Sequence, residues 1–334
     1  AQEHASADQI LPRSRLRPGG GAGIPPAMLT WGVSRDALLL QKGFHGSPAF
    51  VVDAKAVAAE FLAMLLFICF GCGVACGNGA STASDRLSIA FSFGMCILVL
   101  AYAIGPHSGG QINCAVTFSL VLGGEVHWCQ GLANLAGQLL GSLSGAGILC
   151  LVFPCDMDRT GSLGTTAVAP GFTAGHALAG EVVATFLLCY VVWETAVSPL
   201  SGAGANACLA IGFAVFLCHL LLLPIDGCSI NPTRSFGPAI VGRLRGCGTD
   251  NGKGLQELWI FWLGPLLGAL LAAVVKRPCQ VRLYRHDDSG LFIADLATRV
   301  SPRKASAIAP SCASEDGDAH DSSDGAASAC DSSD

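Results

Sequence analysis

Asn113 and Asn231 open two closely matching stretches, "SGGQINCAVTFSLVLGG" at 108–124 and "DGCSINPTRSFGPAIVG" at 226–242. Asparagine is a strong helix N-cap, and Pro232 suits the first helical position, where its missing N–H costs nothing. The segments that follow, 113–123 and 231–241, hold 11 residues each. A helix of that length is about 16 Å long, roughly half the hydrocarbon thickness of a bilayer. A helix N-terminus carries partial positive charge and free N–H groups. Two such ends brought together would repel cations, protons included. The Asn amides would offer donors to a small neutral molecule. Arg234 stands three residues after Asn231 in a strongly apolar setting. An arginine there needs a cavity or a partner. The chemistry these residues offer is selective passage of small uncharged polar solutes.

Such ends must be held inside a membrane, and the composition supplies one. The chain is 51% hydrophobic and 13% charged, against about 25% charged in a soluble domain. Too little charged sequence remains to cover a soluble core of this size. Apolar stretches of spanning length recur at 56–77, 87–105, 131–153, 177–193, 205–224 and 258–275. These predict an all-α integral membrane protein with six transmembrane helices and two re-entrant half-helices. Six spans put both ends on one side. Thirteen of the 19 Lys and Arg lie before residue 56 or from 276 onward. The basic flank Lys276, Arg277, Arg282 and Arg285 argues that the shared side is cytoplasmic.

The spans repeat. "AEFLAMLLF" at 59–67 answers "GEVVATFLL" at 180–188, with 53 residues from Glu60 to Asn113 and 50 from Glu181 to Asn231. Three spans per half is an odd number, so the halves insert with opposite orientation. Inverted repeats place their site at the interface between halves, near the midplane. The expected organisation is a tail at 1–55, a channel domain at 56–276 with repeats at about 56–153 and 174–276, and a Ser- and Asp-rich tail at 277–334. The first 50 residues show no apolar core of a signal peptide. Ser306 and Ser314 sit in kinase-like contexts within the second tail.

Half of the 16 cysteines fall in the spans and read as small buried hydrophobes. Cys69, Cys72 and Cys76 lack a second cluster, so no zinc site is expected. Cys155 and Cys247 both fall on the outer face and could pair. No cofactor, metal or nucleic-acid partner is expected. Glu60 and Glu181 are in-span acids that would be costly if unpaired. They read as braces.

At "CSINPTRSFGPAIV" and "WIFWLGPLLGA" the chain resembles the aquaporin (major intrinsic protein) family, over about residues 56–276. The resemblance places the family's paired Asn-Pro-Ala signatures at Asn113-Cys114-Ala115 and Asn231-Pro232-Thr233. Cys114 stands in place of the first Pro and Thr233 in place of the second Ala. It implies an aromatic/arginine filter of Phe93, His219, Cys228 and Arg234, a set similar to the water-selective members. The Cys228 thiol is then expected to face the narrow stretch, within reach of aqueous reagents. Glu60 and Glu181 would accept hydrogen bonds from the re-entrant loops. The carbonyls of Gly109, Gly110, Gln111 and Gly227 would line the path, with Gln111 where relatives often have His. A homotetramer in a plasma or organelle membrane, passing water, is the family expectation.

Other readings stay open at this point. One is a channel for glycerol-like neutral solutes. Another is a secondary transporter, which shares inverted repeats and broken helices but needs coupling-ion acids. Glu60 and Glu181 are the candidates for those. A non-conducting scaffold is a third. An enzyme has less to stand on, because His219 and Cys228 have no paired base or metal set.

Overall fold

The computed structural model describes residues 51–247 and 252–283. Most of the expected tails, Ser306 and Ser314 included, lie outside the described residues. In chain order the helices are α1 Ala54–Asn78, α2 Ala83–Ser108, α3 Cys114–Gly123, α4 Trp128–Val152, α5 Ala174–Val197, α6 Gly204–Leu222, α7 Pro232–Arg245, α8 Lys253–Gln256 and α9 Ile260–Leu283. Five of them, α1, α2, α4, α5 and α6, are long and apolar enough to cross a membrane. The sixth expected span is the apolar stretch Ile260–Lys276 of α9. No strand occurs among the described residues.

The ends of these helices are written locally. The Asp53 carboxylate accepts from the N–H groups of Lys55 and Ala56 to start α1. Thr82 and Asp85 form a capping box on α2, and Thr173 and His176 form one on α5. Gly109, Gly124 and Gly246 end α2, α3 and α7 in the left-handed conformation that glycine adopts freely. The second half-helix is longer than its sequence symmetry suggested. It runs 14 residues to Arg245, against 10 for α3. The last turn survives because Arg245 is held by the outer loop, donating to the Phe153 carbonyl.

Small residues let the long helices close up. A Cβ on Gly94 of α2 would lie 2.7 Å from the Gly212 carbonyl of α6, and one on Gly212 would lie 2.8 Å from the Gly94 carbonyl. A side chain on Gly141 of α4 would run into the Phe61 carbonyl of α1. In lipid the apolar effect does not drive helices together, so such contact and van der Waals packing carry the association. A π turn at Ile68–Cys72 interrupts α1, and Gly71 within it makes room for the Phe93 ring, 2.5 Å from where a Cβ would sit.

Val in place of Gly212 should force α2 and α6 apart. Overpacking of this kind costs about 1–3 kcal/mol. Thermal unfolding in detergent should show a clear drop for Gly212→Val, whereas an unchanged midpoint would mean the two backbones are not in contact.

Candidate functional site

The two half-helices begin where two buried loops meet. Each loop places a branched residue at positive φ directly before its asparagine, Ile112 at 51° and Ile230 at 45°. Residues of that shape avoid the left-handed region, so both turns are strained. Two buried carboxylates hold them. Glu60 accepts from Gln111 N at 2.9 Å, Ile112 N at 2.7 Å, Ser108 Oγ at 2.6 Å and Gln138 Nε2 at 2.8 Å. Glu181 accepts from Ser229 N and Ile230 N, each at 2.6 Å. These are N–H groups that neither helix nor water would otherwise satisfy.

The asparagines then lock the halves together reciprocally. Asn113 Nδ2 donates to the Ile230 carbonyl and Asn231 Nδ2 donates to the Ile112 carbonyl, both at 2.8 Å. Their side-chain oxygens face their own helices. Asn113 Oδ1 accepts from Ala115 N at 2.8 Å. Asn231 Oδ1 accepts from Arg234 N at 3.2 Å and from the Thr233 hydroxyl at 2.6 Å. Thr233 therefore adds a bond that alanine could not make. Cys114 at the start of α3 lies against Thr233, so the two departures from the family signature touch one another. An amide nitrogen has two hydrogens, and one per asparagine is spent on the opposite loop.

Three of the four residues expected to form the filter come together. The rings of Phe93 and His219 stack with centroids 4.3 Å apart. The Arg234 guanidinium carbon lies 4.8 Å from the Phe93 centroid, within cation–π range. Arg234 Nη1 donates to the Gly164 carbonyl at 2.8 Å. His219 Nδ1 lies 2.9 Å from the Val215 carbonyl. A carbonyl only accepts, so Nδ1 carries the proton and Nε2 of the neutral ring is an acceptor. His219 Nε2 and Arg234 Nε have no protein partner. An acceptor and a donor are thus both left unpaired within the ring and guanidinium cluster.

Cys228 is 0% exposed at φ 58°, and its N–H donates to Asp226 Oδ1 at 2.9 Å. Phe93, His219 and Arg234 are also buried. Gly109, Gly110 and Gly227 all adopt positive φ. No protein donor reaches their carbonyls or that of Gln111 among the described residues. The Gln111 side chain is used otherwise, accepting from Thr117 Oγ1 at 2.6 Å and Asn134 Nδ2 at 3.2 Å.

Sequence reasoning missed Gly164, the Thr233 hydroxyl, and Asp226, whose Oδ2 is buried without a partner. It also passed over Asp158, although "DRTG" reads as a turn with a side-chain acceptor at its head. Cys155 and Cys247 do pair, as a disulfide with Cα atoms 5.6 Å apart.

The model of the major intrinsic protein family matches residues 48–276. The chain belongs to that family. It is 39% identical to aquaporin-5 of Homo sapiens over 225 residues, covering 67% of this chain and 80% of the relative. It is 38% identical to probable aquaporin PIP2-8 of Arabidopsis thaliana over 227 residues, covering 66% and 79%. Aquaporin-4 of Rattus norvegicus is 37% identical over 224 residues, covering 66% of both chains. Among solved structures, the aquaglyceroporin from Plasmodium falciparum superposes with a TM-score of 0.58 at 16% identity, over 66% of this chain and 93% of that one. At that identity the likeness speaks to the fold.

Removing one brace should be severe. Glu181→Ala leaves the Ser229 and Ile230 N–H groups buried and unpaired, at about 1–3 kcal/mol each. The variant should melt well below wild type and lose flux. Wild-type melting and flux would show that the carboxylate does not hold the loop.

Proposed function

We propose that this chain is a passive water channel that excludes ions, protons and larger neutral solutes, and that its four-residue filter is Phe93, His219, Cys228 and Arg234. The observation that carries the reading is the filter cluster. A stacked Phe93–His219 pair narrows the path, while His219 Nε2 and Arg234 Nε stay without protein partners. One acceptor and one donor suit a molecule that both donates and accepts. Below it, the two half-helix N-termini and the remaining amide N–H of each asparagine would turn the water and repel cations. The free carbonyls of Gly109, Gly110, Gln111 and Gly227 would accept from successive waters.

The glycerol reading has less support, because a bulky His219 is stacked directly on Phe93. The transporter reading meets a specific difficulty. Glu60 and Glu181 are taken up by loop N–H groups and are not free to carry a coupling ion. Both termini facing the cytoplasm is supported by the basic flank from Lys276 onward and by the Cys155–Cys247 disulfide on the opposite face, since disulfides persist on oxidising faces. A homotetramer with one pore per subunit completes the reading.

Stopped-flow shrinkage of proteoliposomes tests it. Wild type should pass water far faster than empty vesicles and should hold back glycerol and urea. Arg234→Ala, which removes the fixed charge and opens the ring, should let glycerol or urea leak while water still passes. A wild type indistinguishable from empty vesicles, or an Arg234→Ala channel with unchanged solute exclusion, would overturn it.

A further inference from the structure

We propose that Asp158 is a positioning residue for the filter: it folds the outer loop that presents the Gly164 carbonyl to Arg234, and it clasps that loop to the far end of the helix that Arg234 begins. This rests on the reading of Arg234 as a filter residue.

Asp158 sits in the loop between α4 and α5 with its side chain 1% exposed. A buried carboxylate away from any transported solute needs a reason, and its contacts supply one. Oδ1 accepts from Thr160 N at 3.0 Å, Thr160 Oγ1 at 2.6 Å and Gly161 N at 3.2 Å. Oδ2 accepts from Leu163 N at 2.9 Å and ion-pairs with Arg245 Nη1 at 3.6 Å. One side chain therefore organises the whole turn from 158 to 163.

That turn ends under strain. Leu163 has φ 56°, a left-handed value that a leucine rarely adopts. Its N–H is the group that Asp158 Oδ2 fixes. The next residue, Gly164, also has positive φ and packs against Cys72, where a Cβ would lie 3.2 Å from the Cys72 Cβ. Its carbonyl is the acceptor for Arg234 Nη1. The carbonyl's direction is thus set one residue downstream of a strained position that Asp158 holds.

The other contact of Asp158 closes a loop of constraints. Arg234 lies near the start of α7 and Arg245 at its end, about 16 Å apart at 1.5 Å per residue. The outer loop grips α7 at both places, through Gly164 and through Asp158. Arg245 also donates to the Phe153 carbonyl, and the Cys155–Cys247 disulfide ties the same two segments. Further along, Thr166 Oγ1 donates to Ser235 Oγ at 2.9 Å and Ala167 N to the Asp226 carbonyl at 3.0 Å. Loss of the Asp158 carboxylate frees the segment just before Gly164 while leaving these later anchors in place.

The test uses Asp158→Asn in the full chain, reconstituted beside wild type and Arg234→Ala. Asn retains an oxygen for Thr160 and Gly161 but lacks the second acceptor for Leu163 and the charge for Arg245. The expected result is a glycerol-to-water permeability ratio raised about tenfold, the factor for weakening one charge-assisted hydrogen bond at the barrier, with water flux retained. A residue that only stabilises the fold would lower both fluxes together and leave the ratio alone. Should Asp158→Asn fail to reconstitute, Arg245→Gln cuts the same clasp from α7 and is read the same way. A wild-type ratio in the variant that reconstitutes, while Arg234→Ala leaks, overturns this proposal alone. An Arg234→Ala channel that stays tight overturns the filter reading beneath it.

Discussion

Hydrocarbon offers no partner for a backbone N–H, so a helix that starts in mid-membrane must bring its own. Everything near the pore follows from how this chain meets that requirement twice. Glu60 and Glu181 each accept from the two N–H groups that precede an asparagine. Each asparagine caps its own half-helix and donates to the carbonyl of the opposite loop. The strained conformations of Ile112 and Ile230 are tolerable because six hydrogen bonds converge on those two turns. A buried acid in each half is therefore the condition for having a half-helix end there at all.

The proposed filter inherits its geometry from that junction and from one outer loop. Arg234 is placed along the pore by the start of α7 and is turned by the Gly164 carbonyl. Phe93 is placed by α2 and fits the space left at Gly71 in the π turn of α1. His219 is oriented by its own helix, through the Val215 carbonyl. Five separate elements thus converge on one ring, and none of the three side chains holds itself in place.

Much of this was legible in the sequence for a physical reason. Asn113, Asn231, Arg234, Glu60 and Glu181 are polar groups in long apolar surroundings, where polarity is expensive and must be used. The matching spacing in both halves gave the inverted repeat. Less legible were features that depend on backbone direction. The reciprocal amide bonds, the Gly164 carbonyl and the backbone turn at Cys228 are set by φ values at Ile112, Leu163, Cys228 and Ile230, none of them glycine. The length of α7 was misjudged because its last turn is retained by Arg245, a contact with a loop 92 residues away. Thr233 was noted as a departure, but its role follows only from the rotamer that brings its hydroxyl to Asn231.

The proton is the most direct test of two half-helix ends meeting at the centre of the pore. Vesicles loaded with a pH-sensitive dye allow water permeability and proton conductance to be measured on one preparation. Water flux well above empty vesicles, with proton conductance no higher than theirs, is the predicted result. Proton conductance that rises in step with water flux would contradict it.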